Sequence, residues 1–105
     1  PVFLSHPMKQ FIVSSRLPEE FSQEFLSLIP MQRSTVNRLM SKGIILTYSV
    51  AADRTRLWVT LEAESEVDVI HVLSELPLIR FMRPEISELM FHHNLSFMLP
   101  HPSLN

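Results

Sequence analysis

The sequence contains no cysteine among its 105 residues, so disulfide bonds, thiolate metal ligands and a cysteine nucleophile are all excluded. It has only one glycine, Gly43, which follows Lys42 and predicts a left-handed cap at the end of a helix. An excess of basic residues is also absent. Nine Lys and Arg residues stand against eleven Asp and Glu residues, and this net charge of −2 argues against nucleic-acid binding.

Long apolar segments are missing as well. No segment approaches the roughly 18 to 20 apolar residues of a transmembrane helix, so we expect no membrane partner. Residues 1–7 lack a basic region followed by a long apolar stretch, so we expect no secretory signal there and a cytoplasmic location.

The chain is nevertheless rich in apolar residues, at 46% of the total and a mean hydropathy of +0.14. A domain of this length has a limited interior, so part of that apolar surface is expected to face another subunit. A rich core is the other explanation.

The apolar pattern predicts four strands, at residues 8–14, 44–50, 55–62 and 80–89. Pro84 within the last of these indicates an edge strand or a bulge. A first helix is predicted to open at Pro18 and to end at Lys42, and Pro30 predicts a kink or break near Leu28.

A second helix is predicted over residues 65–75, opened by Ser65 and Asp68 as in a capping box. Its inner face is predicted to carry Val67, Ile70 and Leu73, with Ser74 as a further candidate. The resulting order is βαββαβ.

The segment between the second helix and the last strand has a recognisable spacing. It reads Leu76-Pro77-Leu78, and Phe81-Met82 follows two residues later. This spacing resembles the muconolactone isomerase family, which has approximately Leu-Pro-Leu-aromatic-x-aromatic-Met at the same place. The resemblance extends from about residue 39 to residue 93.

The resemblance implies an α+β subunit with a ferredoxin-like βαββαβ order and an antiparallel sheet, which pairs with a second copy into a dimeric α+β barrel. The partner is then the chain itself, as a homodimer or a higher homo-oligomer. We expect an N-terminal arm at residues 1–7, a muconolactone isomerase-like domain at 8–90, and a C-terminal arm at 91–105 that contacts a partner subunit.

A small-molecule site is predicted in the interior of that barrel, because strand alternation turns Arg56 and Trp58 away from the helices. An aromatic surface beside arginine suits a small organic acid or lactone that carries a carboxylate. Packing in a subunit interface would explain the same residue types. The predicted ligand-binding residues are Gln32, Tyr48, Arg56, Trp58 and Arg83.

The isomerases that give the family its name move a proton on an unsaturated lactone, which requires a base within reach of the carbon acid. The positions that match the family's charged run on the first helix are Met31, Gln32, Arg33 and Ser34. None of them is a carboxylate, and glutamine cannot act as a base near neutral pH. We therefore expect negligible activity on muconolactone, and the catalytic residues remain unassigned.

No cofactor and no metal site are predicted. The chain has five histidines, but two of them are adjacent, and neighbouring residues of a strand point to opposite faces. They are His6, His71, His92, His93 and His101.

Three functions remain open: an isomerase or lyase, a non-catalytic module that binds a small acid, and a module that serves oligomerisation alone. Glu62, Glu85 or a histidine inside the barrel would favour the enzyme. A cavity with arginine and no base would favour the binding module, and a barrel filled by Trp58 and its neighbours would favour the oligomerisation module.

Overall fold

The computed structural model describes residues 8–91. In chain order the elements are β1 (Lys9–Arg16), α1 (Gln23–Ser41), β2 (Ile45–Val50), β3 (Arg56–Ala63), α2 (Glu66–Leu73) and β4 (Arg83–Glu88), with one turn of 3₁₀ helix at Ile79–Phe81 before β4. The predicted βαββαβ order is confirmed. The arms predicted at 1–7 and 91–105 lie outside the described residues, except for Phe91.

The four strands form one antiparallel sheet in the order β2-β3-β1-β4, which is the strand order of a ferredoxin-like fold. β1 lies in the middle and pairs with β3 on one side and with β4 on the other. β4 is an edge strand, so the prediction made from Pro84 is confirmed.

Both helices pack on the same face of the sheet. On this face, β1 contributes Phe11 and Val13 to the core, and β3 contributes Leu57, Val59 and Leu61. Helix residues complete the core, namely Val36 and Leu39 of α1 and Val69 and Leu73 of α2. The described residues place no helix against the other face, which we call the open face.

The first helix begins later than predicted. It starts at Gln23 because the Ser22 Oγ accepts a hydrogen bond of 3.1 Å from the Phe25 N–H, which caps the first turn. Of the kink or break predicted from Pro30, the break is wrong, since α1 continues without interruption to Ser41, while the kink stays a prediction. Pro30 and Leu26 are both exposed, so water can satisfy the Leu26 carbonyl that lost its helical partner.

Gly43 ends α1 in the way the sequence predicted. Its φ is +75°, and the last turn closes through bonds from the Gly43 N–H to the Met40 carbonyl at 2.9 Å and from the Ile44 N–H to the Leu39 carbonyl at 3.0 Å. These two bonds form a Schellman motif, which requires a left-handed residue at this position.

The second helix begins as predicted, with the Ser65 Oγ accepting from the Asp68 N–H at 3.3 Å. Its predicted inner face is wrong in part. Val67 and Ile70 are 60% and 50% exposed, whereas Val69 is buried together with Leu73. Val69 and Leu73 are four residues apart and so lie on one side of the helix, where they pack against β3. Val67 and Ile70 therefore lie on the solvent side.

Candidate functional site

The register of the sheet decides which side chains share the open face. Ser14 lies opposite Trp58 on one side and opposite Glu85 on the other, and Arg16 lies opposite both Arg56 and Arg83. Residues paired in this way point to the same side of an antiparallel sheet. Two adjacent rows therefore cross the open face, one composed of arginines and one composed of Trp58, Ser14 and Glu85.

Arg56, Arg16 and Arg83, in that spatial order, form what we call the arginine row. The Arg56 Nη1 donates to the Ser14 Oγ at 3.2 Å, which directs this guanidinium toward the second row. Within residues 8–91, none of the three arginines forms an ion pair. Three positive charges thus lie side by side with a neutral hydroxyl as their only described side-chain partner.

A buried hydroxyl beneath the sheet fixes the row. Ser15 is fully buried on the helix-facing side, where its Oγ accepts from the Arg83 N–H at 2.9 Å and donates to the Arg16 carbonyl at 2.9 Å. It therefore ties the backbones that carry two of the three arginines. Because Ser15 itself is fully buried, these two bonds help to hold the spacing between Arg16 and Arg83.

Two cavities open on either side of Arg16 at this end of the sheet. The larger has a volume of about 790 Å³ and includes Arg54 and Arg56 in its wall. The smaller has a volume of about 430 Å³ and includes Arg80 and Arg83. Both share Arg16 and the loop that follows it, Leu17 to Glu19.

The hairpin between β2 and β3 shapes the larger cavity. A turn closes through a 2.9 Å bond from the Arg54 N–H to the Ala51 carbonyl, and Arg54 takes a left-handed φ of +67°. Asp53 stabilises the turn by accepting from both the hydroxyl and the N–H of Thr55. These two bonds hold the pKa of Asp53 below its ordinary value.

An aromatic cluster lies beside the smaller cavity, which Phe81 lines. Phe21 stacks on Phe25 with ring centroids 4.1 Å apart, and Phe25 meets Phe81 edge to face at 5.3 Å. Arg80 lies over the Phe81 ring and forms an ion pair with Glu24. Since Arg80 is paired with Glu24, Arg16 and Arg83 are the arginines of the smaller cavity that form no ion pair within residues 8–91.

Gln32 and Tyr48 lie on the opposite, helix-facing side of the sheet. Gln32 is 2% exposed, its Nε2 donates to the Tyr48 hydroxyl at 3.0 Å, and its Oε1 accepts from the Leu78 N–H at 3.1 Å. Burial raises the pKa of Tyr48 above its ordinary value, although the bond with Gln32 lowers it in part. The amide thus joins α1 to β2 and to the segment before β4.

The five residues predicted to bind ligand therefore fall into two groups. Arg56, Trp58 and Arg83 share the open face, whereas Gln32 and Tyr48 form a pair behind the sheet. Sequence reasoning did not include Arg16. Its predicted strand ended at residue 14, whereas β1 extends to Arg16 and places this residue between the other two arginines.

The described residues show neither a metal-binding cluster nor a membrane helix. Within residues 8–91, no three His, Asp or Glu side chains come together to hold a metal ion. The same part of the chain contains no helix with the length and apolar character needed to cross a membrane.

Comparison with known proteins identifies a family. Residues 11–95 match the sequence model of the family described as muconolactone delta-isomerase. The match includes every strand and both helices, apart from the first two residues of β1. No curated protein matches the chain significantly.

Proposed function

The chain belongs to the muconolactone delta-isomerase family, and from this premise we propose that it is an isomerase- or lyase-type enzyme that moves a proton on a small organic acid or lactone. The observation that carries the proposal is the position of Glu85. This exposed carboxylate lies on the open face, next to Ser14 and one row away from the arginines, and makes no ion pair within residues 8–91.

Proton transfer at carbon requires a base near the carbon and positive charge near the oxygen where electron density develops. Glu85 supplies a carboxylate for the first role. Arg83 is two residues away on the same strand and face, and Arg16 is opposite it, so a ligand carboxylate or enolate bound by these guanidiniums would present its neighbouring carbon toward Glu85. Trp58 supplies an apolar wall on the other side of Ser14.

The state of Gln32 supports a location on the open face. The positions that match the family's charged run contain no carboxylate, and both ends of the Gln32 amide are already bonded inside the core. Acid–base chemistry at Gln32 would require a group it does not possess. We therefore expect the proton transfer at Glu85 and a substrate other than muconolactone.

Pairing of two copies through their open faces belongs to the same proposal. Trp58 is half-buried, and no described element of its own chain covers it from above the sheet. A second sheet laid on the open face would exclude water from the arginine row and enclose the ligand, which strengthens the charge interactions there. Light scattering should give at least a dimer at micromolar concentration, and a monomer mass would contradict the enclosed site.

Exchange of substrate protons with deuterated water tests the catalytic step directly. The full chain is incubated with a panel of small unsaturated acids and lactones, muconolactone included, and loss of C–H signal is followed by NMR. We expect exchange on at least one member of the panel and about 100-fold slower exchange in Glu85→Gln, because a positioned base contributes at least that factor.

Glu88→Gln is the matched control for this experiment. Glu88 lies on the same strand, but it is opposite Phe11 and so belongs to the other face, where its described partner is Lys9. Its removal should leave exchange unchanged. Undiminished exchange in Glu85→Gln would overturn the enzyme proposal, as would a wild-type protein that exchanges protons on no member of the panel. Binding of a small acid without exchange would indicate a non-catalytic module.

A further inference from the structure

The arginine row has a spacing that can be stated from the register alone. Arg16 is directly opposite Arg56 in β3 and directly opposite Arg83 in β4. Opposite Cα atoms in antiparallel strands are about 5 Å apart, so the row is about 10 Å wide. The two gaps between neighbouring arginines are therefore centred about 5 Å from each other.

Like charges directly opposite each other destabilise a sheet, and the row contains two such pairs. The acidic groups nearby do not relieve them. Asp53 is bonded to Thr55, and Glu19, Glu20 and Glu85 form no ion pair with the row in the described part of the chain. An anion placed in each gap would interact with two guanidiniums at once.

The cavities divide in the same way as the gaps. Arg56 lines only the larger cavity and Arg83 only the smaller, while Arg16 lines both. A ligand with a single anionic group would occupy one gap and leave the other pair of arginines facing each other. A ligand with two anionic groups, one on each side of Arg16, would neutralise the whole row.

We propose that the arginine row binds a dicarboxylate, with one carboxylate between Arg56 and Arg16 and the other between Arg16 and Arg83. This inference rests on the proposed function in that it names the class of its substrate. A spacing of about 5 Å corresponds to about four carbon–carbon bonds in an extended chain, each advancing about 1.3 Å. A five-carbon dicarboxylate therefore fits the two gaps better than a monocarboxylate of the same length.

Calorimetric titration with glutarate and with its monomethyl ester isolates the second charge, because the two probes share one carbon skeleton. The full chain should bind glutarate at least tenfold more tightly than the ester. Arg56→Gln and Arg83→Gln should each weaken glutarate binding at least tenfold and should reduce the preference for glutarate over the ester. A tenfold loss is the lower end of what a charged hydrogen bond contributes.

Arg33→Gln is the matched control, since Arg33 is exposed on α1 and has no ion pair among the described residues. It removes the same charge far from the row and should not change either affinity. Arg83→Lys retains the charge but loses the two-pronged geometry, and an intermediate loss is expected. Circular dichroism spectra matching those of the wild-type protein show that each variant is folded.

Equal affinities for glutarate and its ester would overturn the inference, as would the absence of glutarate binding at millimolar concentration. A loss in Arg33→Gln equal to that in Arg83→Gln would do so too, because it would indicate general charge attraction. Glutarate binding without proton exchange on any substrate would reject the proposed enzyme and retain the dicarboxylate site. Exchange on a monocarboxylate without a preference for glutarate would do the reverse.

Discussion

The two faces of the sheet differ in whether their polar side chains have partners within the chain. On the helix-facing side, Gln32 is almost inaccessible to solvent, and both ends of its amide are bonded, to Tyr48 and to the Leu78 N–H. On the open face, Arg16 and Arg83 are exposed and have no described acidic partner. On one side both polar atoms of the buried amide have a hydrogen-bond partner, whereas on the other side the arginines lie together without an acidic partner among the described residues.

This difference separates polar residues that stabilise the fold from polar residues that are available to a ligand. A buried amide stabilises the fold because removing it would leave its hydrogen-bond partners buried and unsatisfied. Exposed like charges contribute nothing favourable to the folded chain, and this is why we proposed that the arginine row binds an anion. Substitutions on the two faces should then differ in both the size and the sign of their effect on stability.

Gln32→Leu should have the largest effect. Leucine fills most of the space but leaves the Leu78 N–H without a described acceptor and removes the partner of the Tyr48 hydroxyl. Each unsatisfied buried group costs about 1 to 3 kcal/mol, and two groups are affected, so the free energy of unfolding should fall by about 2 to 6 kcal/mol. Urea denaturation measures it.

Arg33→Leu is the control, because it also introduces leucine into α1 but at the neighbouring, exposed position. It should change the free energy of unfolding by less than about 0.5 kcal/mol. If Gln32→Leu changes the free energy of unfolding as little as Arg33→Leu does, Gln32 does not link α1 to the segment before β4. The helix-facing side would then not be stabilised by its buried amide.

Tyr48→Phe should have a smaller effect, because it removes one of the two bonds and leaves the ring in place. The Gln32 Nε2 loses its acceptor while its Oε1 still binds the Leu78 N–H. The free energy of unfolding should fall by about 1 to 2 kcal/mol. A double-mutant cycle with Gln32→Leu should give a non-additive result, since the two side chains share a bond; strict additivity would show that they act independently.

Alkaline pH provides a further test at the same residue. Burial raises the pKa of Tyr48 above its ordinary value of 10.0, so between that value and the folded pKa the unfolded chain releases a proton that the folded chain retains. Stability should therefore fall as pH rises through this window, and Tyr48→Phe should lack that part of the decline.

Tyr48 is the only tyrosine in the chain, so ultraviolet titration of the phenol reports it alone. The midpoint in the folded protein should lie above that in the denatured protein. Coincident midpoints would show that Tyr48 is not desolvated. The hydrogen bond between Gln32 and Tyr48 would then be solvent-exposed and would contribute little to stability.

Most of the fold could be predicted because local signals and burial agree in this chain. Alternating apolar residues identified β3, the Gly43 cap ended α1, and Pro84 indicated an edge strand. The errors arose where signals competed. Pro18 resembled a helix start, but Ser22 provides the cap, and Pro30 lies at an exposed position where its missing bond is tolerated.

The candidate site could be predicted only in part, because residue types do not give register. Arg56 and Trp58 were correctly assigned to one face by strand alternation. Arg16 was missed, since its role depends on β1 continuing two residues further and pairing with both neighbours. Tyr48 was grouped with the arginines although its strand position places it opposite Val59, on the helix-facing side.

Arg16→Gln should have the smallest effect on stability and the opposite sign. Arg16 is exposed and faces a like charge in each neighbouring strand, so its removal relieves two unfavourable pairs. The free energy of unfolding should rise by a few tenths of a kcal/mol at low ionic strength, and the gain should shrink as salt screens the charges. Urea denaturation at two salt concentrations measures this, with Arg33→Gln as the control that should show neither the gain nor its salt dependence. A loss of stability in Arg16→Gln would mean that the guanidinium has a favourable partner, and the arginine row would then belong with Gln32 among the satisfied groups.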